Sequence, residues 1–294
     1  MPRATANGIE IEYDTFGDPS RAPLLLIMGL GAQMISWDDA FCRLLAGRGF
    51  HVMRYDNRDC GLSTWFDDAG PPDIAGALSG EAAPAYTLDD MAADAVGLLD
   101  ALGIRAAHVV GASMGGFIAQ LIAINHPDRV LTLTSIMSGP AHPESASPTP
   151  EATAVLFVQP PATREERITQ EMWIRKVLMG PDDPFDEGAE RARAERAIDR
   201  AYHPAGTGRQ FAAVLASHPR MEQLKHVRVP TLVIHGLADI LIPVENGRLV
   251  ASAVPGSRLV EIEGMGHDLP KRVWPQLLDE IVALSERAGT LLPS

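Results

Sequence analysis

The most constraining feature of this chain is a junction. An apolar strand, His108 to Val110, runs straight into Gly111-Ala112-Ser113-Met114-Gly115-Gly116 and then into the helical run Phe117, Ile118, Leu121, Ile122. A serine framed as G-x-S-x-G between a strand and a helix has to sit on a very tight turn, with its Oγ held above the sheet. Side chains two positions away on either side would collide with that turn, which accounts for Gly111 and Gly115. The helix that follows aims its first N–H groups and the positive end of its dipole at the place where negative charge would develop.

The rest of the chain repeats the strand–helix rhythm. Ile9 to Phe16 alternates apolar and polar residues, as an edge strand with one wet face does. Leu24 to Met28 is continuously apolar and suits a strand buried on both faces. A helical stretch around Trp37 to Ala46 precedes a strand from His51 to Tyr55. Thr87, with Asp90 three residues later, opens a helix that runs to Leu102 and ends at Gly103. A helix from about Ser113 to Asn125 leads to a strand over Val130 to Met137. The alternation resumes with Thr231 to Ile234, a helix near Glu245 to Ala253, Arg258 to Ile262 and a last helix near Val273 to Arg287. Strands alternating with helices predict an α/β fold with a mostly parallel sheet covered on both faces.

The rhythm breaks between Pro140 and about Arg228. That stretch holds many prolines and the charged helical runs Arg164 to Leu178 and Glu187 to Tyr202, with few strand-like segments. An insertion this long is expected to be a helical cap over a site rather than a plain loop. The predicted organisation is therefore a core from residues 1–139 and 229–294 with a cap at 140–228. Trp173, Met179, Phe185, Tyr202 and Phe211 hint at an apolar roof in it, although such residues are more often core than contact.

Composition narrows the function. The formal net charge is −13 and only three lysines occur, Lys176, Lys225 and Lys271. Sequence-independent nucleic-acid binding and attachment to anionic lipid both need a positive surface, so neither is expected. Two cysteines, Cys42 and Cys60, can form neither a disulfide framework nor a zinc site of several thiolates. They are expected to be free thiols in a reducing compartment. The first ten residues contain no apolar signal-peptide core, and no stretch near them approaches the length of a bilayer span. A cytoplasmic location is the expectation.

A serine hydroxyl is a weak nucleophile near neutral pH and needs a base held by a carboxylate. His267 follows the strand Arg258 to Ile262, in Glu263-Gly264-Met265-Gly266-His267-Asp268, and loops beyond the carboxyl ends of strands are where such sheets place their chemistry. His235, at the close of another strand, is the one serious rival. Asp239, in Val233-Ile234-His235-Gly236-Leu237-Ala238-Asp239, is the expected acid, although a turn or a helix cap is the plainer use of an aspartate there. Asp268 is a poor alternative because adjacent residues seldom face each other. The order Ser113, Asp239, His267 matches the nucleophile–acid–base order of the α/β hydrolases. Two backbone N–H groups are needed for the oxyanion, one expected from Met114 and the other from Leu30 in Met28-Gly29-Leu30-Gly31. Met28 and Met114 side chains either line the pocket or fill the core.

With these residues in view, the chain resembles the α/β-hydrolase fold family along its length, with Ser113, Asp239 and His267 as its triad and Leu30 and Met114 as its oxyanion donors. Arg54-Tyr55-Asp56-Asn57-Arg58-Asp59-Cys60-Gly61-Leu62-Ser63 looks like the family's Y-D-x-R-x-x-G-x-S segment, which in relatives buttresses the oxyanion loop. Many members have His-Gly where this sequence has Met28-Gly29, so a side chain that anchors the loop in relatives is missing. Met-Gly, with R-Y-D-x-R-D and G-A-S-M-G, is closer to the aclacinomycin methylesterase-like subgroup, whose members hydrolyse esters on bulky polyketides; macrolide-lactone esterases are similar in outline. The resemblance implies a serine carboxylesterase that needs no metal or organic cofactor and acts on a small-molecule ester or lactone. The same triad serves C–C and C–N hydrolases and cofactor-free perhydrolases, and a non-catalytic receptor on this fold is the alternative from another class.

Overall fold

The computed structural model describes residues 2–289. Eight strands, β1 (Arg3–Ala6), β2 (Ile9–Phe16), β3 (Ala22–Ile27), β4 (Phe50–Tyr55), β5 (Ala107–Ala112), β6 (Val130–Ile136), β7 (Thr231–Gly236) and β8 (Arg258–Ile262), form one sheet in the order β1-β2-β4-β3-β5-β6-β7-β8. Pairing from β4 through β8 is parallel, and only β1 with β2 and β2 with β4 are antiparallel. The first strand displaces an expectation. β2 is not the edge, because Arg3–Ala6 pairs along its outer side in a four-residue register. Such a short, half-exposed segment carries too little alternation to announce itself.

Successive residues of the central strands serve opposite faces, as the period of two demands. Leu25, Ile27, Val109, Leu133 and Val233 point into one core, with α3 (Leu88–Ala101), α4 (Met114–Asn125) and α10 (Val244–Ala253). Leu24, Leu26, Val110, Ile136, Leu232 and Ile234 point into the other, with α1 (Asp39–Gly47) and α11 (Trp274–Arg287). This double burial is why those strands read as unbroken apolar runs. Asp38 caps α1 through the Ala40 N–H, so the helix begins two residues after Trp37. Thr87 and Asp90 form a full capping box on α3.

A short helix, α2 (Ile74–Ser79), precedes α3. Between β6 and β7 the chain forms α5 (Pro150–Leu156), α6 (Arg164–Leu178), α7 (Glu187–Arg200), α8 (Pro204–Leu215) and α9 (Met221–Leu224), and it contributes no strand. The expected run to Tyr202 stops at Arg200, and Pro204 starts the next helix at its first position, where a missing N–H costs nothing. No helix among the described residues is long and apolar enough to cross a membrane. Cys42 and Cys60 are free and buried.

Candidate active site

Ser113 occupies the turn between β5 and α4 with φ 56° and ψ −122°, a conformation that costs a non-glycine residue about 1–3 kcal/mol. The surrounding glycines make the turn possible. A Cβ on Gly111 would run into the Gly115 carbonyl, and one on Gly115 into the Ile27 carbonyl. The Ser113 N–H is fixed by the Ile136 carbonyl at 2.9 Å. Its hydroxyl is thus held at the carboxyl ends of β5 and β6.

The loops after β7 and β8 bring the other two groups to the same place. His267 Nε2 lies 2.9 Å from Ser113 Oγ, and its Nδ1 lies 2.8 Å from Asp239 Oδ2. The other Asp239 oxygen, Oδ1, accepts the backbone N–H groups of Leu241 and Ile242, both at 2.9 Å. Burial alone would raise the Asp239 carboxyl, but the charge of His267 and hydrogen bonds from His235 and His267 hold it well below the usual carboxylate range. Asp239 is therefore an anion with its lone pairs spoken for, which orients His267 with a proton on Nδ1 and turns Nε2 toward the serine.

The rivals lie close by but do not reach the hydroxyl. His235 is fully buried behind Asp239, with Nε2 2.7 Å from the Ile242 carbonyl and 3.5 Å from Asp239 Oδ2. Asp268 turns away to form an ion pair with Arg175 of α6 at 3.1 Å. Its pKa is raised by burial, against the pull of Arg175.

Leu30 and Met114 flank the serine. Met114 is the first residue of α4, so its N–H has no partner within the helix. Among the described residues no acceptor is bonded to the Leu30 N–H. Gly29 lies so near that a Cβ there would stand 3.0 Å from the Ser113 Cβ and 3.4 Å from its Oγ. The Met28 and Met114 side chains are buried in the two cores, so core filling is their observed use.

Support for the Leu30 loop comes from residues that the sequence pattern does not pair. Asn57 Nδ2 donates to the Met28 carbonyl at 3.0 Å. Asp56 accepts the Met34 N–H at 2.8 Å and the Leu62 N–H at 2.9 Å, and pairs with Arg200 at 2.7 Å. Gln33 donates to the Ala197 and Ala201 carbonyls at the end of α7. Gln210 of α8 accepts the Gly31 N–H at 2.8 Å. The neighbouring Asp59 is gripped by Arg209 through two bonds of 2.8 Å and by the Tyr86 hydroxyl at 2.8 Å. Y-D-N-R-D thus signals the core half of the support, while its partners on α7 and α8 carry no local signature.

The apolar roof is only partly realised. Trp173 is 41% exposed, in a shallow groove that α6 forms with Pro161, and Phe211 is buried against Phe157. Tyr202 lies under Arg167 and Phe185 under Lys176.

Comparison with known proteins agrees with this layout. Residues 22–270 match the alpha/beta hydrolase fold family. Rhodomycin D methylesterases of Streptomyces sp. (strain C5) and of Streptomyces peucetius are each 34% identical, over 98% of this chain and 98% of their own. A putative carbamate hydrolase of Caulobacter segnis is 28% identical over 91% of this chain and 92% of its own. Among solved structures, a meta-cleavage product hydrolase from Pseudomonas fluorescens superposes with a TM-score of 0.77 at 19% identity, covering 98% of both chains. An enol-lactonase from Burkholderia xenovorans does so with 0.74 at 22% identity, covering 97% of this chain and 100% of its own.

Proposed function

This chain belongs to the α/β-hydrolase fold family as an esterase-type hydrolase, and we propose that its chemistry runs through Ser113, His267 and Asp239. In this reading His267 Nε2 takes the Ser113 proton as Oγ attacks an ester carbonyl. The Leu30 and Met114 N–H groups hold the tetrahedral oxyanion, and ionised Asp239 steadies the imidazolium. His267 then passes its proton to the departing alcohol. Water, deprotonated by the same imidazole, releases the acid from the acyl-enzyme and restores Ser113.

The observation that carries the reading is the unbroken series of hydrogen bonds Ser113–His267–Asp239 at 2.9 and 2.8 Å. A receptor would have no use for a serine held in a strained turn against an imidazole.

The substrate we propose is an ester of a bulky natural product, a methyl ester first, with lactones next. Support comes from the two rhodomycin D methylesterases, which match over nearly the full length of this chain. In the same reading residues 140–228 act as a cap and the chain works in the cytoplasm, which suits two free buried thiols. A net charge of −13 speaks against nucleic acid or anionic membrane as partners.

The test is a panel of methyl esters, lactones, amides and carbamates, assayed with the wild type and with Ser113→Ala. Ester turnover should lead the panel. The variant, folded by circular dichroism, should lose it by roughly six orders of magnitude. Undiminished turnover in Ser113→Ala would end the proposal. Amides or carbamates turning over faster than esters would move the chemistry to C–N cleavage.

A further inference from the structure

We propose that Gln210 of α8 is the positioning residue of the oxyanion loop, so that the oxyanion hole is complete only when α8 is docked on the core. The inference rests on the reading of Leu30 and Met114 as the oxyanion donors.

The Gln210 side chain is fully buried and spans two backbone segments. Its Oε1 accepts the Gly31 N–H at 2.8 Å, and its Nε2 donates to the Arg58 carbonyl at 2.7 Å. Only one orientation of the amide satisfies both, because the flipped amide would set N–H against N–H and carbonyl against carbonyl. The peptide between Leu30 and Gly31 is therefore clamped on its N–H side. Clamping that plane fixes the backbone at Leu30, whose own N–H is the oxyanion donor in the proposed reading.

Neighbouring contacts leave the clamp little room to move. Thr207, one helical turn before Gln210, sits so close that a Cβ on Gly31 would stand 2.8 Å from its Oγ1 and Cγ2. Arg209, next to Gln210, is locked to Asp59 and also donates to the Gly70 carbonyl at 2.8 Å. From the core side Asn57 holds the Met28 carbonyl. The Met28 side chain lies in the core and makes no polar contact to the loop. The loop is anchored by Asn57 on one side and on the other by Gln210, 179 residues along the chain from its partner Gly31.

The loop is displaced, not deleted, when this clamp is lost. Removing an oxyanion donor outright costs about 10²–10³-fold in kcat, and a misplacement of about 1 Å can cost about 10²-fold. Gln210→Met keeps the length of the side chain and loses both hydrogen bonds, while Gln210→Glu keeps the acceptor for Gly31.

Each variant is assayed on a p-nitrophenyl ester, with kcat expressed per site titrated by a fluorophosphonate. Binding of a trifluoromethyl ketone, which forms an oxyanion, is compared with that of the matching secondary alcohol, which cannot. In Gln210→Met, kcat should fall roughly 10–100-fold with KM within about twofold. Ketone affinity should fall in step while alcohol affinity holds. Gln210→Glu should lose less, about three- to tenfold, and it carries the test alone if the methionine variant does not fold.

Unchanged kcat per site and unchanged ketone affinity in the folded variants would overturn the inference. So would an equal loss of ketone and alcohol binding, the mark of a general structural defect. Ser113→Ala separates the two levels. If it still turns over ester, the site reading falls and takes this inference with it; if it is dead while the Gln210 variants match the wild type, this inference alone fails.

Discussion

Replacing Asp239 with asparagine tests the proton inventory of the site with a change of one atom. The two oxygens of Asp239 face different partners. Oδ1 accepts two backbone N–H groups, and Oδ2 faces His267 Nδ1 at 2.8 Å and His235 Nε2 at 3.5 Å. In Asp239→Asn the amide has two orientations. One turns its NH2 toward Leu241 and Ile242, leaving two half-buried donors unsatisfied at up to about 1–3 kcal/mol each. The other keeps the carbonyl there and turns the NH2 toward His267, and it is preferred by that margin. Nδ1 must then accept, so the imidazole carries its proton on Nε2, the nitrogen 2.9 Å from Ser113 Oγ. A protonated Nε2 cannot take the serine proton.

In a serine protease the equivalent swap lowers kcat about 10⁴-fold, which is about 5 kcal/mol of barrier, and we expect a loss of that order here. Steady-state turnover of a p-nitrophenyl ester at pH 7 measures the loss. Nitrogen-15 shifts of the His267 ring report the tautomer directly. A folded Asp239→Asn protein that keeps more than a tenth of wild-type kcat, or whose His267 still carries its proton on Nδ1, would refute the reasoning.

Two further outcomes concern stability. Burial pushes His108 down to about 4, so the folded state resists a proton that the unfolded chain binds below about 6.5. Stability should therefore fall as pH drops through that window, by about 2–3 kcal/mol from this group between pH 7.5 and 4.5. Urea titrations at the two pH values should show a smaller drop in His108→Asn, and an equal drop would exclude His108 as the source. Arg209→Met leaves buried Asp59 without its guanidinium and should cost about 3–5 kcal/mol in the same titration. A cost under about 1 kcal/mol would show that the Phe66 N–H, which donates to Asp59 at 2.7 Å, and the Tyr86 hydroxyl hold the carboxylate without Arg209.

What could be read in advance was whatever is local. The G-A-S-M-G turn, the apolar strands and the capped helix from Thr87 are written in consecutive residues, and the loops holding Asp239 and His267 are marked by the strands before them. The inserted helices at Arg164 and Glu187 announced themselves by charge and length. By contrast β1 is only four residues long, and α8 begins at Pro204 in a run holding Gly206 and Gly208, which weakens its helical pattern. Gln210 looks like any polar residue on a half-buried helix, and its partner Gly31 lies on the other side of the sheet's first three crossovers. Hydrogen bonds between distant backbone and a single side chain leave no periodicity behind, so Gln210 and the Gln33–Ala197 contact emerge only in three dimensions. The methionines went the other way: Met28 and Met114 sit beside the chemistry in sequence, yet their side chains turn inward to pack.

The His267 loop has a tether of its own: the His267 N–H donates to the Leu178 carbonyl at 2.8 Å, at the last turn of α6. The His267 loop and the Leu30 loop thus each take a fixing point from the helices inserted after β6. Grafting a foreign set of helices onto this scaffold would remove both fixing points at once, whereas exchanging individual side chains on the helices already there, Gln210 apart, would leave both in place. Selectivity in this enzyme is therefore better retuned residue by residue than by transplant.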